Sequence, residues 1–194
     1  MWRERQIDEG FEFEEEIQMK IIEKDCYLFW YVKNPTKTVC LAAVKKDGLL
    51  IQVIENPTEE MKLEAVKQNG WAIRFIENPT KEMKLEAVKD YGLSIEYIKN
   101  PNEEMQLEAV KQNGWAIQFI ESPTEEVQLE AVKQIGSSIK FIKKLDQTFE
   151  IVEAFFNFDW KNNDREEHYE FLSKKFITKE QALIMIYDDP RHIN

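Results

Sequence analysis

Prolines 35, 57, 79, 101 and 123 and glycines 48, 70, 92, 114 and 136 form two series with one shared step of 22 residues. Around them runs a repeated string, Asn/Ser-Pro-(Thr/Asn), then Leu-x-Ala-Val-Lys-x-x-Gly, then a short apolar segment that ends in Ile. Self-similarity at so short a period constrains the fold more than any other feature of the chain. It specifies a stack of identical small units in which each unit packs only on its neighbours.

The copy from Asn56 to Glu77 shows what one unit is. A residue before proline is held out of the right-handed helical region, so Asn56 can serve as N-cap with Pro57 as first helical residue and Glu59 closing a capping box. Thr58 competes for the same role and would place Glu59 and Glu60 in the first turn, where the helix dipole favours acid. Both options start a helix here. It runs to Gln68-Asn69-Gly70, with Gly70 expected to supply a left-handed terminating residue.

On a wheel of 100° per residue, Met61 and Ala65 fall on one flank and Leu63 and Val66 on another. Two apolar flanks suit a helix held between two neighbours. Glu60, Glu64, Lys67 and Gln68 take the remaining arc and are expected to face water. Glu64 and Lys67, three residues apart, recur as Glu86/Lys89, Glu108/Lys111 and Glu130/Lys133, the pattern of a solvated face. After Gly70 only a helix of at most two turns fits before the next cap, with Ile73, Phe75 and Ile76 expected in the core. Their counterparts are Ile95, Tyr97 and Ile98, then Ile117, Phe119 and Ile120.

One step back along the lattice, Ile17, Met19, Phe29, Tyr31 and Val32 form a degenerate first repeat, with Cys26 at the glycine site. One step forward, Thr148, Phe149 and Ile151 open a seventh helix, and the run Phe155-Phe156-Asn157-Phe158 breaks the pattern. Beyond it, Asp164-x-x-Glu167 and Thr178-x-x-Gln181 each signal a capped helix. The expected organisation is an acidic lead-in at 1–13, a helical array at 14–145 and an irregular helical cap at 146–194. An atypical end unit is what seals the open end of such an array. The fold class is all-α, with six to seven short helix-turn-helix repeats.

Composition narrows the partners. Asp and Glu outnumber Lys and Arg, 37 to 26, for a formal charge of −11. Duplex nucleic acid and anionic membrane are disfavoured, because phosphate neutralisation needs basic stripes; a basic protein partner, or no charged partner at all, is the better expectation. The first residues lack the apolar core of a signal peptide, and no run approaches a membrane span. Cys26 and Cys40 are expected as buried thiols in a reducing compartment, so the expected location is cytoplasmic.

Chemistry finds no foothold. Catalysis needs a nucleophile with its base, paired carboxylates in a pocket, or a metal set. His168 and His192, the only two histidines, have no Cys-x-x-Cys or His-x-x-x-His partner, and no glycine-rich phosphate loop is present. No enzyme activity, cofactor or metal is expected.

Recognition is the expected business of this chain. Positions 71, 74 and 77 and their counterparts vary most between copies and stand three apart, so they share one face of the short helix. Copies read Tyr27/Trp30/Lys33, Leu49/Gln52/Glu55, Trp71/Arg74/Glu77, Leu93/Glu96/Lys99, Trp115/Gln118/Glu121 and Ser137/Lys140/Lys143. The candidate contact residues are Trp30, Trp71, Arg74, Glu96, Trp115, Gln118 and Lys140. Trp160, in the polar stretch Asp159 to Asp164, joins them as a loop contact. Tryptophan is enriched at binding hot spots. It is equally at home wedged between repeats, as a contact made after a helix-ending glycine; Trp71 and Trp115 stand open between the two readings, and Trp30 is the strongest candidate for exposure.

The string Leu-Glu-Ala-Val-Lys-Gln-Asn-Gly-Trp-Ala-Ile, at 63–73 and again at 107–117, resembles the short helical repeats of bacterial and mobile-element proteins, a family of unknown function marked by Ala-Val-Lys-Gln-Asn-Gly. Its layout is similar to the leucine-rich repeat variant and HEAT-like arrays. The resemblance covers residues 14–145 and implies a right-handed α-solenoid with binding duties and no shared catalytic residues. The expected function is therefore a non-catalytic protein-interaction scaffold. The alternative is a mobile-element inhibitor of a host nuclease or CRISPR-type defence complex. Its acidic surface, strongest in residues 1–16, would mimic nucleic acid.

Overall fold

The computed structural model describes residues 13–143, 148, 150–152 and 154–155. They fall in two compact units, Met1–Tyr97 and Ile98–Asn194. In the first, four α-helices alternate with four 3-10 helices: α1 (Glu15–Lys24), η1 (Cys26–Tyr31), α2 (Lys37–Lys46), η2 (Gly48–Val53), α3 (Glu59–Gln68), η3 (Gly70–Phe75), α4 (Lys81–Asp90) and η4 (Gly92–Tyr97). The second continues the alternation with α5 (Glu103–Gln112), η5 (Gly114–Phe119), α6 (Glu125–Gln134) and η6 (Gly136–Phe141). The elements among the described residues are all helices, and within each unit successive α/3-10 pairs pack on one another.

The helix starts are decided by threonine. Thr58 is extended, at φ −70° and ψ 161°, and its hydroxyl accepts from the Met61 amide. Thr36, Thr80, Asn102 and Thr124 do the same in their repeats. Asn56 is not the cap. It turns the chain into the Pro57 step at φ 50°, and Asn34, Asn78 and Asn100 repeat that left-handed conformation. Asparagine tolerates it better than other residues with a Cβ because its short polar side chain can bond locally.

The glycines differ from expectation. No described glycine has positive φ. A Cβ on Gly48 or Gly70 would run into the carbonyl oxygen of Ala65 or Ala87, each in the following repeat. Glycine and alanine are thus a matched pair that lets neighbouring backbones approach. The second segment then winds as a 3-10 helix rather than an α-helix, capped at its start by Asp25, Asp47, Asn69 or Asn113, each accepting from the amide two residues on.

A side chain from the next repeat ties the junction. Gly48 donates its N–H to Gln68 Oε1 at 2.6 Å, and Gln68 Nε2 donates back to the Lys46 carbonyl. Gly70 donates likewise to Asp90 Oδ2 at 2.7 Å, and Lys46 Nζ reaches the Glu23 carbonyl. Gln68 is exposed, as expected, but it is also a fastener between repeats. Glu64/Lys67, Glu86/Lys89 and Glu108/Lys111 lie 4.0, 3.3 and 3.5 Å apart on the helix surface.

Met61, Ala65, Val66, Ala72, Ile73 and Ile76 form the core of one repeat, and the same columns are buried in the other interior copies, except that Ile54 is only partly buried. Leu63 is only partly buried. Phe75 and Tyr97, expected inside, are exposed, and Phe119 is half-buried. Three residues per turn put Ile73 and Ile76 on one face of the segment and turn residue 75 away from it. Cys40 is buried and Cys26 half-buried, a partial departure from two buried thiols.

Residues 1–12 of the lead-in lie outside the described residues, as do the capped helices expected at Asp164 and Thr178, and His168 and His192. Of the expected seventh helix, residues 150–152 and 154–155 are helical, with Ile151, Val152 and Phe155 buried.

Candidate interaction face

The 3-10 helices present side chains that the α-helices do not. In a 3-10 helix residues i and i+3 eclipse, so the residue after each glycine and the one three further on stack into one column. On η3 these are Trp71 and Arg74. The Arg74 guanidinium carbon lies 5.2 Å from the Trp71 ring centre and 5.1 Å from that of Phe75. It also lies 5.5 Å from Tyr97 on η4. Trp71 packs obliquely on Tyr91, with ring centres 6.1 Å apart. One cation and four aromatic rings from two adjoining repeats thus make a continuous patch. At such distances a ring attracts a cation through its quadrupole, worth about 0.5–1 kcal/mol when exposed.

The second unit repeats the motif with other residues. Lys140 Nζ lies 5.6 Å from the Trp115 ring centre and 4.8 Å from that of Phe141. Trp115 Nε1 donates to Ser137 Oγ, and Gln118 Nε2 donates to the Trp115 carbonyl.

The tryptophans are surface residues. Trp30, Trp71 and Trp115 are 47%, 42% and 44% exposed. Trp30, the strongest candidate for exposure, is the most exposed of the three by a small margin; it shares η1 with exposed Tyr27 and Tyr31. Arg74, Glu96, Gln118 and Lys140 are exposed as well. The structure joins Trp71 to Arg74, and Trp115 to Lys140 and Gln118. Trp30 and Glu96 sit on separate 3-10 helices, η1 and η4. Trp160 lies outside the described residues.

Sequence reading missed the third column, Tyr31, Phe75, Tyr97 and Phe141, of which Phe75, Tyr97 and Phe141 complete the patches. The signal was present, since aromatics recur there while the flanking Ile columns are aliphatic. An expectation of an ordinary helix folded them into the core instead.

Among the described residues no three His, Cys, Asp or Glu side chains gather as a metal site. No helix among them is long and apolar enough to cross a membrane. Burial raises the Cys40 thiol above its ordinary value of 9.0, which keeps it protonated and unreactive at neutral pH. No protein-family model, curated protein or solved structure matches the chain.

Proposed function

We propose that this protein is a non-catalytic interaction scaffold that binds a protein partner through the 3-10 face of its repeats. One observation carries the reading: exposed aromatic rings concentrate on the 3-10 helices, and on η3, η4, η5 and η6 cations stack against them. Trp71, Phe75 and Tyr97 around Arg74, with Tyr91 against Trp71, and Trp115 and Phe141 beside Lys140, are large groups that brace one another on the surface. Ordered aromatics and arginine are the residue types that dominate protein interfaces. Side chains braced by such contacts have less rotamer freedom to lose on binding.

The opposite surface supports the assignment by contrast. The outward arc of the α-helices carries Glu60, Lys67, Glu82, Lys89, Glu104 and Lys111, all exposed and of mixed sign, the composition of a surface that stays in water. The resemblance to short helical repeats of mobile-element proteins fits a binding role.

The test is partner capture from a native extract with wild type and with a Trp71→Ala/Arg74→Ala/Trp115→Ala variant whose helical circular dichroism is unchanged. A partner held by wild type and lost by the folded variant supports the reading. Equal capture by both removes the 3-10 face from it.

A further inference from the structure

We propose that the first repeat is a dimerisation surface, on which α1 pairs antiparallel with α1 of a second copy of this chain.

Each repeat turns one side toward its predecessor. Ser94 Oγ reaches back to the Gly70 carbonyl. Gln68 and Asp90 reach back to Gly48 and Gly70. Ala65 and Ala87 sit under those same glycines. The counterparts of these positions in the first repeat are Leu28, Lys24 and Ile21. Ile17 lies one turn before Ile21 on the same helical face.

In every later repeat these apolar columns are closed. Val39, Met61, Met83, Met105 and Val127, the counterparts of Ile17, are at most 4% exposed. The counterparts of Leu28 are at most 2% exposed. Ile17 itself is 45% exposed and Leu28 37%. Ile21 is half-buried where the other copies have a fully buried alanine. An end unit adapted to water carries polar residues on its outer face. This one carries large aliphatic residues instead, which marks a face that is covered.

Charge selects the occupant. The stripe along α1 reads Glu14, Ile17, Ile21, Lys24, an acid at one end and a base at the other. Turned end for end, it complements itself: Glu14 meets Lys24 of the second copy, and Ile17 meets Ile21. A two-fold interface requires this self-complementarity. Glu14 is also set apart from the other N-caps. Thr36, Thr58, Thr80, Asn102 and Thr124 cap their helices with the side chain, whereas Glu14 makes no side-chain cap bond. At the other end of the lattice Ile151, Val152 and Phe155 are already buried, which argues against head-to-tail stacking on the last repeat.

Sedimentation velocity across a concentration series, on the full chain, tests this. Wild type is expected to form a dimer that Ile17→Asp abolishes. Glu14→Lys and Lys24→Glu should each weaken it by about tenfold or more, like charges then opposing each other twice. The double exchange Glu14→Lys/Lys24→Glu should restore affinity to within about threefold of wild type, which loss of fold could not do. A wild type that stays monomeric overturns the proposal. In that case nuclear Overhauser contacts from the Ile17 methyl groups to Trp2 or Phe11 would identify the chain's own lead-in as the cover, and their absence would leave the face to a different protein. A dimer indifferent to all three substitutions overturns it equally.

Discussion

At Gly70 the neighbouring repeat, not the backbone torsion, demands glycine. Its φ is not positive, and the obstacle to a Cβ is the Ala87 carbonyl, backbone that cannot swing aside. Gly70→Ala is expected to lower stability by about 2 kcal/mol or more in urea denaturation, the range of an overpacked core. Asn56 shows the converse, since its strain is torsional at φ 50°. Asn56→Gly should be neutral to within about 0.5 kcal/mol, and Asn56→Ala should cost about 1 kcal/mol. Cys40 gives a pH signature. Burial raises its pKa above 9.0, so the folded state holds the proton more tightly than the unfolded chain does. Its contribution is complete below pH 9.0 and is lost as pH rises through the folded value. Against a Cys40→Ala control, wild type should therefore lose denaturation midpoint only above that pH.

Between neighbouring elements, a single side chain closes the junctions at Gly48 and Gly70. Gln68 accepts from Gly48 and donates to the Lys46 carbonyl, whereas Asp90 accepts from Gly70 with a carboxylate. Gln68→Ala leaves the Gly48 N–H without its partner and should cost about 1 kcal/mol, with Gln68→Glu retaining most of that because it still accepts. Paired melts of the two variants check this. The lattice made the repeat and its α-helix legible: Pro57, the Thr58/Glu59 start and the Gly70 stop are local signals that need no tertiary contact. What was hidden depended on the neighbour. Gly70 looks like a helix terminator until Ala87 is placed beneath it, and Gln68 looks like a solvated residue until Gly48 is placed within its reach. Phe75 was assigned to the core because one residue sets the difference between 3-10 and α-helical phase. The candidate contact residues were legible as a variable column, since side chains that change on a fixed backbone stand out in an alignment of copies. Their exposure was not, because tryptophan after a helix end fits either side of the surface.

For the whole molecule the account separates two jobs. Columns facing the adjoining repeats hold the stack together, and partner binding is the role proposed for the 3-10 face, with its aromatic rings and stacked cations. Site-directed photocrosslinking in a native extract tests that separation directly. A benzoylphenylalanine replaces Gln52 or Gln118, both exposed on 3-10 helices, and Glu60 or Glu126, both exposed on α-helices, serve as controls. The account predicts one crosslinked protein from positions 52 and 118, competed away by excess wild type and missing from positions 60 and 126. Crosslinks that arise equally from all four positions, or only from the α-helical pair, would contradict it.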